Sequence, residues 1–158
     1  MNYRHQQGVG LIEVLVAVLV LAIGLLGLAG LQTQSLRFNN EAYFRTQATL
    51  LAMDMADRLR ANQETARTNS ALYTFTKTET VPTGGKDCTA NECTPAEVAA
   101  FDFQQWRARV EEVLPGGLVE LTPEATGTAT PWQGYVIEVE FSSTESATDQ
   151  IFRYRVRI

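Results

Sequence analysis

The stretch QQGVGLIEVLVAVLVLAIGLLGLAGLQ, residues 6–32, decides how the chain is read. From residue 14 to residue 31 no side chain is charged or can hydrogen-bond. As a helix, residues 9–31 would be about 35 Å long, enough to cross a bilayer core of about 30 Å with some tilt. Glu13 breaks the pattern. An ionised carboxylate near the bilayer centre costs roughly 2.5–3.5 kcal/mol on insertion scales, so an acid kept there is a functional candidate. A secretory signal peptide has a shorter apolar stretch before a small-residue cleavage site. Ala29 and Gly30 imitate such a site, but the run before them is too long. A plain transmembrane anchor accounts for the length. It does not account for Glu13, nor for the glycines just before it.

The motif QQGVGLIEVLVA resembles the cleavage and methylation site of type IV prepilins and type II secretion pseudopilins. That family has a short basic leader ending in glycine, then an apolar helix with glutamate at its fifth residue. Here the leader would be MNYRHQQG, with Arg4 as its charge, and the cut would fall between Gly8 and Val9. Glu13 is then the fifth residue of the mature chain. Val9 stands where many members carry phenylalanine. Gly10 offers a competing glycine, but a cut after it would put Glu13 third. The resemblance implies that a prepilin peptidase removes the leader on the cytoplasmic side and N-methylates Val9. It also implies that the helix waits in the inner membrane before entering a filament. Glu13 would there pair with the terminal ammonium of a neighbouring subunit. Two buried charges offset each other only when correctly placed, so the acid would set assembly register. The competing expectation is a glutamate at the membrane edge that reaches for water. Flanking charge barely orients the helix: Arg4 and the terminal amine stand on one side, Arg37, Glu41 and Arg45 on the other. A periplasmic C-terminal part is therefore implied by the resemblance alone.

Composition narrows the function classes. The chain has 158 residues and a formal net charge of -5. That acidic balance argues against a general nucleic-acid partner, which needs a basic footprint. About 125 residues beyond the apolar run suffice for one small domain. His5 is the only histidine and Cys88 and Cys93 the only cysteines, so no Cys/His zinc cluster is available. In an oxidising compartment Cys88 and Cys93 are expected to form a disulfide closing the loop CTANEC; otherwise they stay thiols. No phosphate-binding glycine loop and no grouped acids are present, so no catalytic residue, metal or cofactor is expected.

The helix is expected to continue past the membrane. Residues 32–62 contain neither proline nor glycine, and Phe44, Ala48, Leu51, Met55 and Leu59 form one apolar stripe. Arg37, Asn40, Glu41, Arg45 and Asp54 lie off that stripe. Gly24, Gly27 and Gly30, spaced by three, fit either ordinary transmembrane glycine or close helix packing in a filament. Residues 62–86 are polar and read as a loop, with a short strand somewhere in ALYTFTKTETV. A second helix starts at Thr94, with Pro95 at its first position and Glu97 completing a capping box. Val98, Phe101, Trp106, Val110, Val113 and Leu114 are its apolar positions, with Trp106 a core anchor, and Pro115, Gly116 and Gly117 stop it. GLVELT reads as a strand. YVIEVEF and IFRYRVRI alternate and form a hairpin, with Glu138 and Glu140 set near Arg153, Arg155 and Arg157.

The expected fold is α+β and pilin-like: a long N-terminal helix, half in the membrane and half soluble, on a small antiparallel C-terminal sheet with one additional helix. Residues 1–8 are the expected leader, 9–31 the transmembrane or filament-core half, and 32–158 the periplasmic head. AAFDFQQWRARVEEVLPGG is similar to the corresponding region of PilV-type minor pilins. That resemblance implies a structural subunit that helps prime type IV pilus assembly and twitching motility at the tip. Its partners would be prepilin peptidase, other minor pilins, the major pilin, a tip adhesin and the inner membrane. The alternatives are a minor pseudopilin of a type II secretion system and a periplasmic adapter anchored by one helix.

Overall fold

The computed structural model describes residues 10–79, 85–124, 133–142 and 149–158. The chain separates into two units, Met1–Asn40 and Glu41–Ile158, joined through one continuous helix. This helix, α1, runs from Leu11 to Ala61. It opens at Gly10, whose carbonyl accepts from the Glu13 N–H at 2.9 Å and the Val14 N–H at 3.3 Å. In the first unit every described side chain is exposed, including the apolar run up to Leu31.

The second unit holds the hydrophobic core. Ala48, Leu51, Ala52, Met55, Ala56 and Leu59 of α1 are buried there. Ala48, Ala52 and Ala56 are four residues apart, so they line one face and let its packing partners approach the helix backbone. After Asn62 a short helix α2, Gln63–Thr68, and a 3-10 helix, Ser70–Tyr73, follow. Residues 62–79 are therefore largely helical rather than an open loop, and the expected strand shrinks to a single bridge between Phe75 and Leu121. No side chain caps α2 or the 3-10 helix. Tertiary contacts hold them instead, through buried Ala66 and Tyr73.

Helix α3, Pro95–Val113, starts as its capping box dictates. The Thr94 side chain accepts from the Glu97 N–H, and the Glu97 carboxylate accepts from the Thr94 N–H at 2.7 Å. The helix ends at Leu114. Gly116 takes φ +63°, a conformation that favours glycine. Its buried face is Ala99, Asp102, Phe103, Trp106 and Val110. Val98 and Phe101, expected among the core positions, are only half-buried, because the face turned inward runs through Ala99 and Phe103.

Strands β1 (Leu118–Pro123), β2 (Gly134–Phe141) and β3 (Gln150–Arg157) form an antiparallel meander in the order β1-β2-β3. Val119, Leu121, Tyr135, Ile137, Val139, Phe141 and Val156 are buried on one face. Glu120, Glu138, Glu140, Arg153 and Arg155 alternate onto the other, as a period of two requires. Phe75 stacks on Phe103 at 3.9 Å between ring centroids, tying the segment after the 3-10 helix to α3.

Candidate functional site

Two regions carry the residues singled out in the sequence: the start of α1, and the head with its disulfide loop and sheet. Gly8 and Val9 lie outside the described residues. Glu13 lies in the first turn of α1, where exposed N–H groups and the helix dipole favour an acid. Apolar side chains surround it along the helix, with Leu11 and Ile12 among the most exposed. A Cβ added at Gly24, Gly27 or Gly30 would meet nothing within 4 Å, so packing within this chain does not require them to be glycine.

In the head, Cys88 and Cys93 are joined, with Cα atoms 5.6 Å apart. Thr89 donates to the Asp87 carboxylate from its N–H at 2.8 Å and its hydroxyl at 2.6 Å. These bonds hold the Asp87 carboxyl below the usual range. Lys86 reaches Glu97 at 3.5 Å, so the loop is fastened to the first turn of α3. The Thr94 bonds, followed by Lys86, lower the pKa of Glu97 as well.

A polar junction joins the end of α1, the 3-10 helix and α3. Arg58 Nη1 donates to Asp102 Oδ1 at 3.0 Å, the Tyr73 hydroxyl donates to Asp102 Oδ2 at 3.0 Å, and Asn62 donates to the Tyr73 oxygen at 3.0 Å. Burial pushes the Asp102 pKa up, and Tyr73 and Arg58 pull it back. Burial also raises Tyr73. Among the described residues no buried side-chain nitrogen or oxygen lacks a partner, so the cluster is a structural clamp rather than a reactive centre. Trp106 adds a second clamp, donating from Nε1 to the Leu51 carbonyl at 2.8 Å. Tyr135 adds a third, donating to the Ala66 carbonyl at 2.7 Å. None of these partners was legible in the sequence, because each joins residues far apart along the chain.

The outer face of the sheet pairs its charges, as the sequence suggested for Glu138 but not for Glu140. Glu138 pairs with Arg153, directly opposite in the β2–β3 register. Glu140 pairs with Lys77 at 2.5 Å rather than with an arginine, and Arg155 pairs with Glu124 at 3.1 Å. Lys77 enters because the Phe75–Leu121 bridge lays its segment along β1. The Glu140 hydrogen bond raises its pKa. Among the described residues no group of three or more His, Cys, Asp or Glu side chains could hold a metal ion. An open groove of about 590 Å³ lies between α1 and α3, with Leu50, Leu51 and Ala108 among its lining and Asp54, Arg58, Arg109 and Glu112 as its charges.

The first unit is the exposed apolar part of α1; the second packs the rest of α1 with α2, the 3-10 helix, α3 and a three-stranded antiparallel sheet. In comparison with known families, the prokaryotic N-terminal methylation motif matches residues 3–29, and the family described as type IV pilin Tt1218 matches residues 30–104. Over these residues the chain is similar to type IV pilins, and its long N-terminal helix, small antiparallel three-stranded sheet and extra helix are consistent with a pilin fold. Pilin family proteins are structural subunits, not enzymes. Neither a curated protein nor a solved structure gives a significant match. Helix α1 is long and apolar enough, by length and composition, to cross a membrane.

Proposed function

We propose that this chain is a minor pilin of the PilV type. In this reading prepilin peptidase cuts between Gly8 and Val9 and N-methylates Val9. The apolar half of α1 anchors the subunit in the inner membrane with its head in the periplasm. The subunit then joins other minor pilins and the major pilin in a priming complex at the pilus tip, where a tip adhesin is a further partner. The observation that carries the reading is Glu13. It is the fifth residue of the proposed mature chain, in the first turn of α1, whose apolar side chains up to Leu31 are all exposed. A lipid or a helical neighbour would cover such a surface, and a neighbour's ammonium would offset an acid within it.

Mass spectrometry of the mature chain tests the processing step. An N-methylated Val9 is expected, and an intact Met1 would overturn it. Glu13→Ala tests the register step. Cleavage should continue, while surface piliation should fall roughly tenfold or more, since breaking a buried charge pair costs about 3–5 kcal/mol. Normal piliation in that variant sinks the pairing. Loss of exoprotein secretion with normal piliation, on deletion of the gene, would move the chain to a secretion pseudopilus.

A further inference from the structure

The two edges of the sheet differ. At β1, the Phe75 N–H donates to the Leu121 carbonyl and the Leu121 N–H to the Phe75 carbonyl, both at 2.9 Å, so this edge is already paired. At the other end, Gln133 and Ile158 exchange both main-chain hydrogen bonds at 3.1 Å. Antiparallel pairs alternate, so Val156, Tyr154 and Phe152 also turn their main-chain groups towards β2. The N–H and C=O groups of Ile151, Arg153 and Arg155 therefore point away from the sheet. Among the described residues no strand pairs with them.

We infer that β3 is a docking edge that accepts an extended, acidic strand from a different protein. A strand added here sets its hydrogen-bonded residues directly opposite Ile151, Arg153 and Arg155, on the outer face of the sheet. The Arg153 and Arg155 side chains are 61% and 77% exposed. Their bridges to Glu138 and Glu124 run through Nε, and a guanidinium carries five N–H donors, enough to serve a second carboxylate. The added strand thus carries Asp or Glu at alternate positions. A second copy of this chain is the wrong occupant, because edge-to-edge pairing would place arginines against arginines. Beside Ile151, itself 45% exposed, a depression of about 230 Å³ among Arg45, Phe141, Gln150 and Phe152 has room for one apolar side chain of the newcomer. The inference goes beyond the pilus reading and stands on the sheet alone, whichever filament the chain serves.

The test is in-cell photo-crosslinking of the full chain with benzoylphenylalanine in place of Ile151, followed by sequencing of the crosslinked peptide. The expected product is a segment of another protein with acids at every second position. Arg155→Pro removes one outward N–H while leaving the β2 ladder intact, since proline is tolerated on an open edge. Arg155→Gln keeps that N–H and removes only the charge, and Arg153→Glu with Arg155→Glu reverses the charge. Crosslink yield should fall about tenfold with Arg155→Pro and with the double reversal, and less with Arg155→Gln, as expected if hydrogen bonds and charge pairs both contribute. Melting of each purified variant in detergent separates lost docking from lost folding. Absence of a crosslink, a crosslink to a second copy or to a segment without alternating acids, or a yield untouched by the double reversal, overturns the inference.

Discussion

Tyr135 lies under the sheet, and its hydroxyl reaches the carbonyl of Ala66. Tyr135→Phe keeps the ring and leaves that carbonyl without its donor, so stability should fall by about 1–3 kcal/mol, read as a lower urea midpoint with unchanged slope. The same residue shapes the alkaline limit. Burial pushes its pKa from 10.0 up to about 12, so above pH 10 the native state holds a proton that the unfolded state releases. Stability from this group is therefore present below pH 10 and lost as pH rises towards 12. Lys77 acts in the same direction, its bridge being lost as pH rises through a pKa lifted above 10.5. Unfolding midpoints at pH 8 and pH 11 should differ less in a Tyr135→Phe, Lys77→Met double variant than in the parent; an unchanged difference would count against both assignments. That Tyr135 faces inward is legible from the alternation of β2. Its hydrogen bond is not, because Ala66 sits in a segment whose polar sequence carries no helical pattern.

At the scale of elements, local signals made α3 readable and their absence hid α2. The boundaries of α3 are written in Thr94, Pro95, Glu97 and the Pro115–Gly116–Gly117 stop, all acting within a few residues of where they stand. Thr94→Ala should therefore cost about 1 kcal/mol, measured by chemical denaturation; a change indistinguishable from zero would mean that Lys86 and the disulfide loop already hold the helix start. Helix α2 has six residues and no side-chain cap. A helix that short is unstable alone, and it exists because Ala66 is buried and its carbonyl is claimed by Tyr135. The strands were legible as alternating runs. The partner of Glu140 was not, because Lys77 arrives over β1 by a bridge of a single residue pair.

At the scale of the molecule, the chain separates into an exposed apolar helix and a packed head. The buried core begins at Ala48, and every hydrogen-bonded clamp joins residues after that point. Residues 32–158 without the first 31 are accordingly expected to fold as a soluble head whose melting lies within a few degrees of the whole chain in detergent. A preparation lacking near-ultraviolet dichroism would show that the apolar half is needed for folding. What the amino-acid sequence determined by itself is whatever depends on near neighbours or on periodicity. That includes the apolar span, the place of Glu13, the length of α1, the capped start of α3, the alternation of the strands and the cysteine loop. Only the tertiary structure decided which distant groups meet: Arg58 and Tyr73 on Asp102, Trp106 on the Leu51 carbonyl, Phe75 closing one sheet edge while β3 stays open. Such contacts carry no periodic signature. Each exists only once burial elsewhere has brought its two halves together, and then the cost of leaving a buried polar group unpaired selects the partner.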